Sequence, residues 1–281
     1  MSYLQNPVNG NTYKIAIIIL FLVSGTNFGQ IKNNKSAPAD IFVSDFYSAV
    51  DAGIAVAKRP LEFSQSDWMT VGIITAGTAA LFTVDKSVRS FAIANQNNLN
   101  NAIFGIDRFY GSGYTPLLTA GIYGAGLFTG NEQIRKLGLY SSEALIFSGI
   151  ITTVLKVVIG RRRPYAGNSN LFFKPPQFFD NDYQSLPSGH TTVAFAVSTV
   201  MAKSVDNFYW KVLWFGAAGA TALSRIYHNQ HWVSDVFLGA AIGYYVGEFV
   251  VKINKTGRMN NSSVRILPAV SFNGVGVSVW F

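Results

Sequence analysis

The chain has 281 residues and a formal net charge of +8, and it is 49% hydrophobic but only 13% charged. Soluble domains carry about 25% charged residues, so this composition favours a membrane-embedded chain or one built from unusually apolar helices. Its basic residues form no stripe with interleaved aromatics, which argues against nucleic acid as a partner, and the lack of cysteine excludes disulfides, thiol catalysis and Cys-ligated metal.

The N-terminal region, residues 1–29, has the pattern of an export signal. Lys14 precedes an apolar run over residues 15–23, and small residues follow as far as Gly29. As a helix this run covers about 14 Å, less than the roughly 30 Å of a hydrocarbon core, so we expect a cleaved signal peptide. An uncleaved anchor is the alternative. Residues 30–60 are expected to form a polar leader and an amphipathic helix that lies on a surface.

Residues 61–258 are predicted to form a helical domain, because apolar segments fill most of this region. The segments lie at 68–84, 111–130, 137–159, 191–202, 212–224 and 236–251. Several of them are short for membrane-spanning helices, which need about 20 residues. In the final region, residues 259–281, an alternating pattern surrounds Asn273-Gly274 and predicts a short β-hairpin or tail.

A basic cluster closes the third apolar segment. Lys156 is followed, after six intervening residues, by Arg163 and Pro164. A residue before proline avoids the α region, so we expect the helix to stop here and Arg163 to lie in a loop. A basic cluster that only flanks a membrane helix is the alternative.

A second cluster precedes the fourth apolar segment and consists of Pro187, Ser188, Gly189 and His190. Ser188 and Gly189 lie where a helix should begin, and the free N–H groups of a helix N-terminus form a cradle for an anion. The alternative is that Ser188 is an ordinary N-cap residue.

A third cluster, Arg225, His231 and Asp235, lies between the fifth and sixth apolar segments. A carboxylate four residues after an imidazole can bind its Nδ1–H and leave the other nitrogen free as a base or nucleophile. A charge pair on a solvated turn is the alternative. His228 has no such partner and is predicted to be a bystander.

The three clusters are expected at one end of the bundle. If the helices alternate in direction, the end of the third segment, the start of the fourth and the connection between the fifth and sixth all lie on the same side. Three cations, two potential proton carriers and one carboxylate would then meet at a single site.

Together the clusters resemble the three-part signature of the type 2 phosphatidic acid phosphatase superfamily. The matching residues are Lys156-x6-Arg163-Pro164, Pro187-Ser188-Gly189-His190 and Arg225-x5-His231-x3-Asp235. The resemblance implies an all-α bundle, and together with the six apolar segments it predicts a multi-helix bundle with about six apolar core or transmembrane helices.

The resemblance also implies a hydrolase of phosphoric esters or anhydrides that needs neither a metal nor another cofactor. His231 would attack phosphorus and form a phosphohistidine, Asp235 would fix the tautomer of His231, and His190 would protonate the leaving oxygen and then activate water. The implied phosphate-binding residues are Lys156, Arg163, Ser188, Gly189 and Arg225. Such chemistry depends mainly on positioning and charge stabilisation, which fixed cations can supply.

The expected substrate is a lipid phosphate or diphosphate, such as phosphatidic acid or undecaprenyl diphosphate, and a membrane is the expected partner. A soluble periplasmic acid phosphatase of broad specificity is the main alternative. A vanadium haloperoxidase and a non-catalytic binder of polyprenyl phosphate are weaker ones. The loop between the first two clusters contains Phe172, Phe173, Phe178 and Phe179, which would either touch acyl chains or merely cap the bundle.

Basic residues predict the side on which the site lies. The loop at 203–211 and the tail with Lys252, Lys255 and Arg258 lie opposite the clusters, so the positive-inside rule makes their side cytoplasmic. If the N-terminus is exported and the first three apolar segments each cross the membrane, Lys156 would instead lie on the cytoplasmic side. This conflict disappears if segment 68–84 does not cross the membrane or if several segments are core helices. We therefore expect a protein of the bacterial cell envelope, in or on the inner membrane with its site facing the periplasm. A soluble periplasmic location is the alternative.

Overall fold

The computed structural model describes residues 37–256 and, as backbone, the two strands at 265–271 and 274–280. The predicted export signal at 1–29 lies outside the described residues, as does most of the polar leader. The described residues confirm the predicted all-α bundle. The domain limits drawn from the sequence stay predictions.

Nine α-helices run through the described residues. They are α1 (Pro38–Lys58), α2 (Gln65–Leu81), α3 (Asp85–Ala94), α4 (Asn98–Ile103), α5 (Tyr114–Thr129), α6 (Glu132–Ile159), α7 (Gly189–Ser204), α8 (Phe208–Tyr227) and α9 (Val233–Lys255). A 3₁₀ turn, Phe104–Arg108, precedes α5. Strands β1 (Arg265–Ser271) and β2 (Gly274–Trp280) pair antiparallel with Ser271 opposite Gly274, which confirms the predicted hairpin, although Asn273 lies outside the described residues.

Each predicted apolar segment lies mainly within one helix: α2, α5, α6, α7, α8 and α9, in that order. The predicted amphipathic helix is α1, which ends at Lys58 and continues into a 3₁₀ turn, Arg59–Glu62, that contains Pro60. Helices α3 and α4 were not predicted, because charged and amide side chains interrupt their apolar residues. Both helices lie near the site described below.

Helix α7 lies at the centre of the bundle. One side of it packs Ala194, Val197 and Met201 against Trp214 and Ala218 of α8. Its opposite side, with Ala196 and Val200, contacts a second cluster made by α6 and α9. Because α7 is covered from both sides, its N-terminus is held firmly at one end of the molecule.

Glycines bring α9 against the backbone of α7. Gly239, Gly243 and Gly247 recur every fourth residue, and a Cβ added at Gly243 would lie 2.2 Å from the carbonyl oxygen of Thr192. At Gly239 an added Cβ would lie 2.6 Å from the carbonyl oxygen of Ser188. Small residues permit such close approach of helices, as membrane bundles require. The contact places the start of α9 beside the start of α7.

Among the residues that the structure describes, two helices, α6 and α9, are long and apolar enough to cross a membrane, and α2 with α3 forms a further candidate that is bent by 58°. One face of α6 presents apolar side chains to the surroundings. These residues are Ile146, Ile150, Val154 and Val158, each between 51% and 62% exposed. A stripe of this kind fits contact with lipid better than contact with water, so these features indicate that the protein associates with a membrane.

Helix α6 ends at a glycine rather than at the residue before proline. Gly160 has φ 59°, a left-handed conformation that glycine adopts without steric cost, and its N–H donates to the carbonyl of Lys156 at 2.9 Å. The helix therefore stops three residues earlier than the position of Pro164 suggests. Arg163 lies beyond this end, in extended backbone with φ −72° and ψ 152°.

Candidate functional site

All three sequence clusters lie at the end of the bundle where α6 ends and where α7 and α9 begin. The predicted site residues found there are Lys156, Arg163, Ser188, Gly189, His190, Arg225, His231 and Asp235. The backbone N–H of Ser188 donates to the carbonyl of Asp235 at 3.0 Å. A Cβ added at Gly189 would lie 3.7 Å from Cε of Lys156. Residues far apart in the chain are thus neighbours in this site, while their individual roles stay predictions.

His231 is buried, with 3% of its surface exposed, and its ring lies beside Asp235. The distance between His231 Nδ1 and Asp235 Oδ2 is 3.6 Å, which exceeds a hydrogen bond, and Nδ1 has no other partner among the described side chains. Catalytic hydrogen bonds are often long in the absence of substrate and shorten on binding. The arrangement directs Nδ1 toward the carboxylate and leaves Nε2 as the nitrogen available for chemistry.

Asp235 is held rigidly on every side. Its Oδ2 accepts hydrogen bonds from the Ser185 hydroxyl at 2.5 Å and from the Trp232 N–H at 2.8 Å. Its Oδ1 accepts from Arg161 Nη1 at 2.6 Å. The carboxylate that faces His231 therefore cannot rotate freely.

Arg161 joins Asp235 to a second buried carboxylate, Asp85 at the start of α3. Arg161 Nη2 lies 2.6 Å from Asp85 Oδ2, and all three side chains have 0% exposure. The guanidinium also donates to the carbonyl of Asn170 and lies 4.2 Å from the ring centroid of Phe82. Sequence reasoning missed this buried ion network, because it gave no role to Arg161, one of the six residues between Lys156 and Arg163.

The cations Lys156 and Arg163 are held by neutral oxygens rather than by carboxylates. Lys156 Nζ donates to the carbonyl of Gln184. Arg163 donates to the backbone and side-chain oxygens of Asn181 at 2.9 and 2.8 Å, and Gln230 Oε1 lies 3.4 Å away. Because none of these acceptors carries a full negative charge, both cations remain available to an anion.

Arg225, the third cation, pairs with Asp107 in the 3₁₀ turn that precedes α5, with Nη1 and Oδ2 2.6 Å apart. Its Nε is buried and has no partner among the described side chains. Burial opposes the charge of Asp107, but hydrogen bonds from His228 and Arg225 outweigh it and hold the pKa of Asp107 well below its usual range. Asp107 is therefore ionised and fixes the position of Arg225.

His228, which the sequence predicts to be a bystander, has an acidic partner from another part of the chain. His228 Nδ1 lies 3.4 Å from Asp107 Oδ2 and 3.2 Å from the Ser224 hydroxyl. The partner precedes His228 by more than a hundred residues, so a search for nearby carboxylates in the sequence could not find it. His228 contributes to the same pair that positions Arg225.

The N-terminus of α7 presents free donors to the site. Ser188 occupies the N-cap position, but its side chain makes no capping hydrogen bond and instead accepts from Thr191 Oγ1 at 3.0 Å. The N–H groups of Gly189 and His190 have no backbone acceptor among the described residues. A helix N-terminus with open N–H groups favours an anion. This geometry agrees better with the anion cradle than with an ordinary N-cap.

Both candidate catalytic histidines are neutral at pH 7 in this environment. Burial, followed by the charges of Lys156 and Arg163, lowers the pKa of His231 well below its usual value. Burial and the charge of Arg225 lower the pKa of His190 to about 4. A neutral His231 is the form that can act as a nucleophile.

Among residues 37–256, no group of three or more His, Asp and Glu side chains is arranged to hold a metal ion. The expectation that the site works without a metal stays a prediction.

We expect Arg161→Met to reduce the free energy of unfolding by about 3–5 kcal/mol, because it leaves two buried carboxylates without their cation. Arg162→Met is the matched control. The Arg162 guanidinium lies 5.6 Å from the ring centroid of Phe172 and pairs with no carboxylate among the described residues, so a loss below about 1 kcal/mol is expected. Thermal unfolding of the detergent-purified variants measures both effects, and equal losses would contradict a structural role for the network.

Comparison with known proteins agrees with the geometry of the site. Residues 137–258 match the model of the PAP2 superfamily. A lipid A 1-phosphatase of Porphyromonas gingivalis is 26% identical over 178 residues, which are 62% of this chain and 36% of that protein. An undecaprenyl-diphosphatase of Sulfolobus acidocaldarius is 25% identical over 126 residues, which are 45% of this chain and 59% of that protein. The chain thus spans between about one third and three fifths of the length of these relatives.

Two solved structures also resemble the chain. The crystal structure of Aquifex aeolicus LpxE has 24% sequence identity and a TM-score of 0.47, and the match covers 60% of this chain and 95% of that one. A transmembrane PAP2 type phosphatidylglycerolphosphate phosphatase from Bacillus subtilis has 20% identity and a TM-score of 0.49, over 76% of this chain and 96% of that one. The part of this chain that carries the site, residues 137–258, is therefore similar to proteins of the PAP2 superfamily.

Proposed function

We propose that the protein is a phosphatase that hydrolyses a lipid phosphate or diphosphate through a phosphohistidine intermediate. The observation that carries this proposal is the buried, neutral His231, which lies beside Asp235 and near enough to the cations Lys156, Arg163 and Arg225 for their charges to lower its pKa. The relatives support it, because their names describe phosphatases of lipid A and of undecaprenyl diphosphate.

In the first step, Nε2 of His231 attacks phosphorus as the bond between phosphorus and the leaving oxygen breaks. His190, which is neutral in the free protein, takes up the acidic proton of the bound substrate and passes it to that oxygen, and the phosphoryl group is left on His231. In the second step, His190 takes a proton from water, the resulting hydroxide attacks phosphorus, and the bond between phosphorus and nitrogen breaks to release phosphate. Asp235 stabilises the positive charge that His231 acquires during each step.

The cations would stabilise the charge on the equatorial oxygens during both steps. Lys156 and Arg163 suit this role because their partners are neutral oxygens. Arg225 suits it because Asp107 fixes one Nη while Nε stays unpaired. The N–H groups of Gly189 and His190 would complete the anion site.

A lipid substrate fits the bundle better than a water-soluble one. The exposed apolar stripe on α6 runs from Ile146 to Val158, and Lys156 lies at the end of the same helix. A soluble acid phosphatase would expose such a stripe to water at a cost in free energy. This observation favours the lipid phosphatase over the soluble alternative.

The basic residues support a periplasmic site. Lys203 at the end of α7 and Lys252 and Lys255 at the end of α9 lie at the end of the bundle opposite His231. Under the positive-inside rule that end faces the cytoplasm. The substrate would then be a phosphorylated lipid whose headgroup lies in the outer leaflet of the inner membrane.

The absence of cysteine from the chain makes this orientation easy to test, since each introduced thiol is unique. Ser169→Cys lies in the exposed loop at the site end, and Asp206→Cys lies in the exposed loop at the other end. We expect a membrane-impermeant maleimide to label the first variant in intact spheroplasts and the second only after lysis. The reverse pattern would place the site in the cytoplasm.

The nucleophile is tested by comparing two histidines. We expect His231→Ala to reduce kcat by at least about a thousandfold on every substrate that the protein hydrolyses. His228→Gln, the matched control, should retain activity within about tenfold, because His228 acts only through Asp107. A panel of lipid A phosphate, undecaprenyl diphosphate, phosphatidic acid and phosphatidylglycerophosphate in detergent micelles would identify the substrate.

A radioactive phosphoryl group should be trapped on the wild-type protein by rapid quenching, as an acid-labile phosphoramidate, and should be missing from His231→Ala. Turnover by His231→Ala at the wild-type rate would refute the proposed mechanism.

The pKa of His190 predicts the acid side of the pH profile. Burial has the largest effect on this pKa and lowers it. The charges of Arg225, Arg163 and Lys156 lower it further, whereas the charge of Asp107 raises it. Between pH 4 and the second phosphate pKa of about 6, one proton is shared by His190 and the substrate, so kcat/KM should be level. Below about pH 4 both His190 and the substrate phosphate carry a proton, and the second proton blocks the reaction. Above about pH 6 neither group carries the proton that the leaving oxygen requires.

We therefore expect kcat/KM for a water-soluble phosphate monoester to fall on the acid side only near pH 4. An acid limb near 6.5, the ordinary imidazole pKa, would show that the site does not lower the pKa of His190.

A further inference from the structure

An apolar groove of about 420 Å³ follows the seam between α6 and α7. Six of its seven lining residues lie on α6 between positions 145 and 154, and the seventh is Val193 of α7. This stretch of α6 is about 14 Å long. Ile146, Ile150 and Val154 are each more than half exposed, so the groove opens on the outer surface of the bundle.

One end of the groove leads to the phosphate-binding residues. Gly149, which lines the groove, and Lys156 are seven residues apart, so they lie two helical turns apart on the same face of α6. Val193 lies one turn along α7 from His190. Between these positions the hydroxyls of Thr152 and Thr192 are 3.2 Å apart and hold the two helices together. A chain in the groove would therefore end beside Lys156.

The loop after α6 indicates the level of the membrane surface. Its backbone is fastened to the end of α6, since Gln177 N–H donates to the carbonyl of Val157 at 3.0 Å. Phe178 and Phe179 of this loop are 62% and 98% exposed. Apolar side chains this exposed at the end of an apolar helix are expected to insert at the boundary between headgroups and acyl chains, as they do in interfacial helices. The groove then descends from this boundary toward the hydrocarbon.

We propose that the groove between α6 and α7 binds the hydrocarbon chain of the substrate while the phosphate lies among Lys156, Arg163 and Arg225. This proposal rests on the phosphatase activity proposed above and adds the site that recognises the lipid tail. Thr153 is the only polar side chain that lines the groove, so the groove suits a saturated or prenyl chain and selects no headgroup. It would distinguish substrates by chain length.

A series of alkyl phosphates, from butyl to dodecyl and used below their micelle concentrations, tests the proposal. For the wild-type protein, kcat/KM should rise by up to about fourfold with each added methylene, until the chain fills the groove. Gly149→Phe should flatten this rise and lower kcat/KM at least tenfold for dodecyl phosphate, with less than a twofold change for butyl phosphate.

The glycine position suits this variant, because a Cβ added at Gly149 has no atom within 4 Å. Gly121→Phe is the matched control. Gly121 lies on α5, also has no atom within 4 Å of an added Cβ, and does not line the groove, so the length series should be unchanged.

The possible results distinguish a failure of the groove proposal from a failure of the proposed phosphatase activity. A wild-type rate that does not depend on chain length, or a Gly149→Phe variant that keeps the wild-type dependence, would overturn the groove proposal and show that only bulk lipid covers this surface. An equal loss for butyl and dodecyl phosphate would overturn it as well. Failure of the wild-type protein to hydrolyse any alkyl or lipid phosphate would instead overturn the proposed phosphatase activity.

Discussion

The site depends on one buried cation, Arg161, and the two carboxylates that neutralise it. Asp85, Arg161 and Asp235 have no exposure to water, so each charge is stable only in the presence of the others. The three residues come from the start of α3, the loop after α6 and the start of α9. Their mutual attraction therefore fixes the relative positions of these elements, and through Asp235 it fixes the carboxylate that faces His231.

The protein thus uses its basic residues in two different ways. The charge of Arg161 is fully occupied by carboxylates, whereas Lys156 and Arg163 are held in place by carbonyl and amide oxygens. Neutral acceptors orient a cation without cancelling its charge, so its attraction for an anion remains strong in a site that excludes water. The same local excess of positive charge, together with burial, keeps His190 and His231 neutral until an anion arrives.

The sequence was sufficient to predict what depends on local pattern. Six apolar segments predicted six helices, and the alternating direction of these helices predicted which residues would meet at one end. It was not sufficient where a partner lies far along the chain. Arg161 is one of three consecutive arginines, and its contacts with Asp85, 76 residues earlier, and Asp235, 74 residues later, distinguish it from Arg162. Asp107 lies in a 3₁₀ turn without apolar periodicity, so its contacts with Arg225 and His228 had no signal in the sequence.

Helix geometry explains how α6 can serve both lipid and phosphate. Residues four apart lie nearly on one line along a helix, and lines that start two residues apart lie on opposite faces. Ile146, Ile150 and Val154 form the exposed line, while Ala144, Ser148 and Thr152 form the buried line toward α7. Lys156 is the next member of the buried line, at the point where the helix leaves the apolar region. A molecule with an apolar chain and an anionic end can therefore satisfy both environments at this seam, with its charged end beside Lys156.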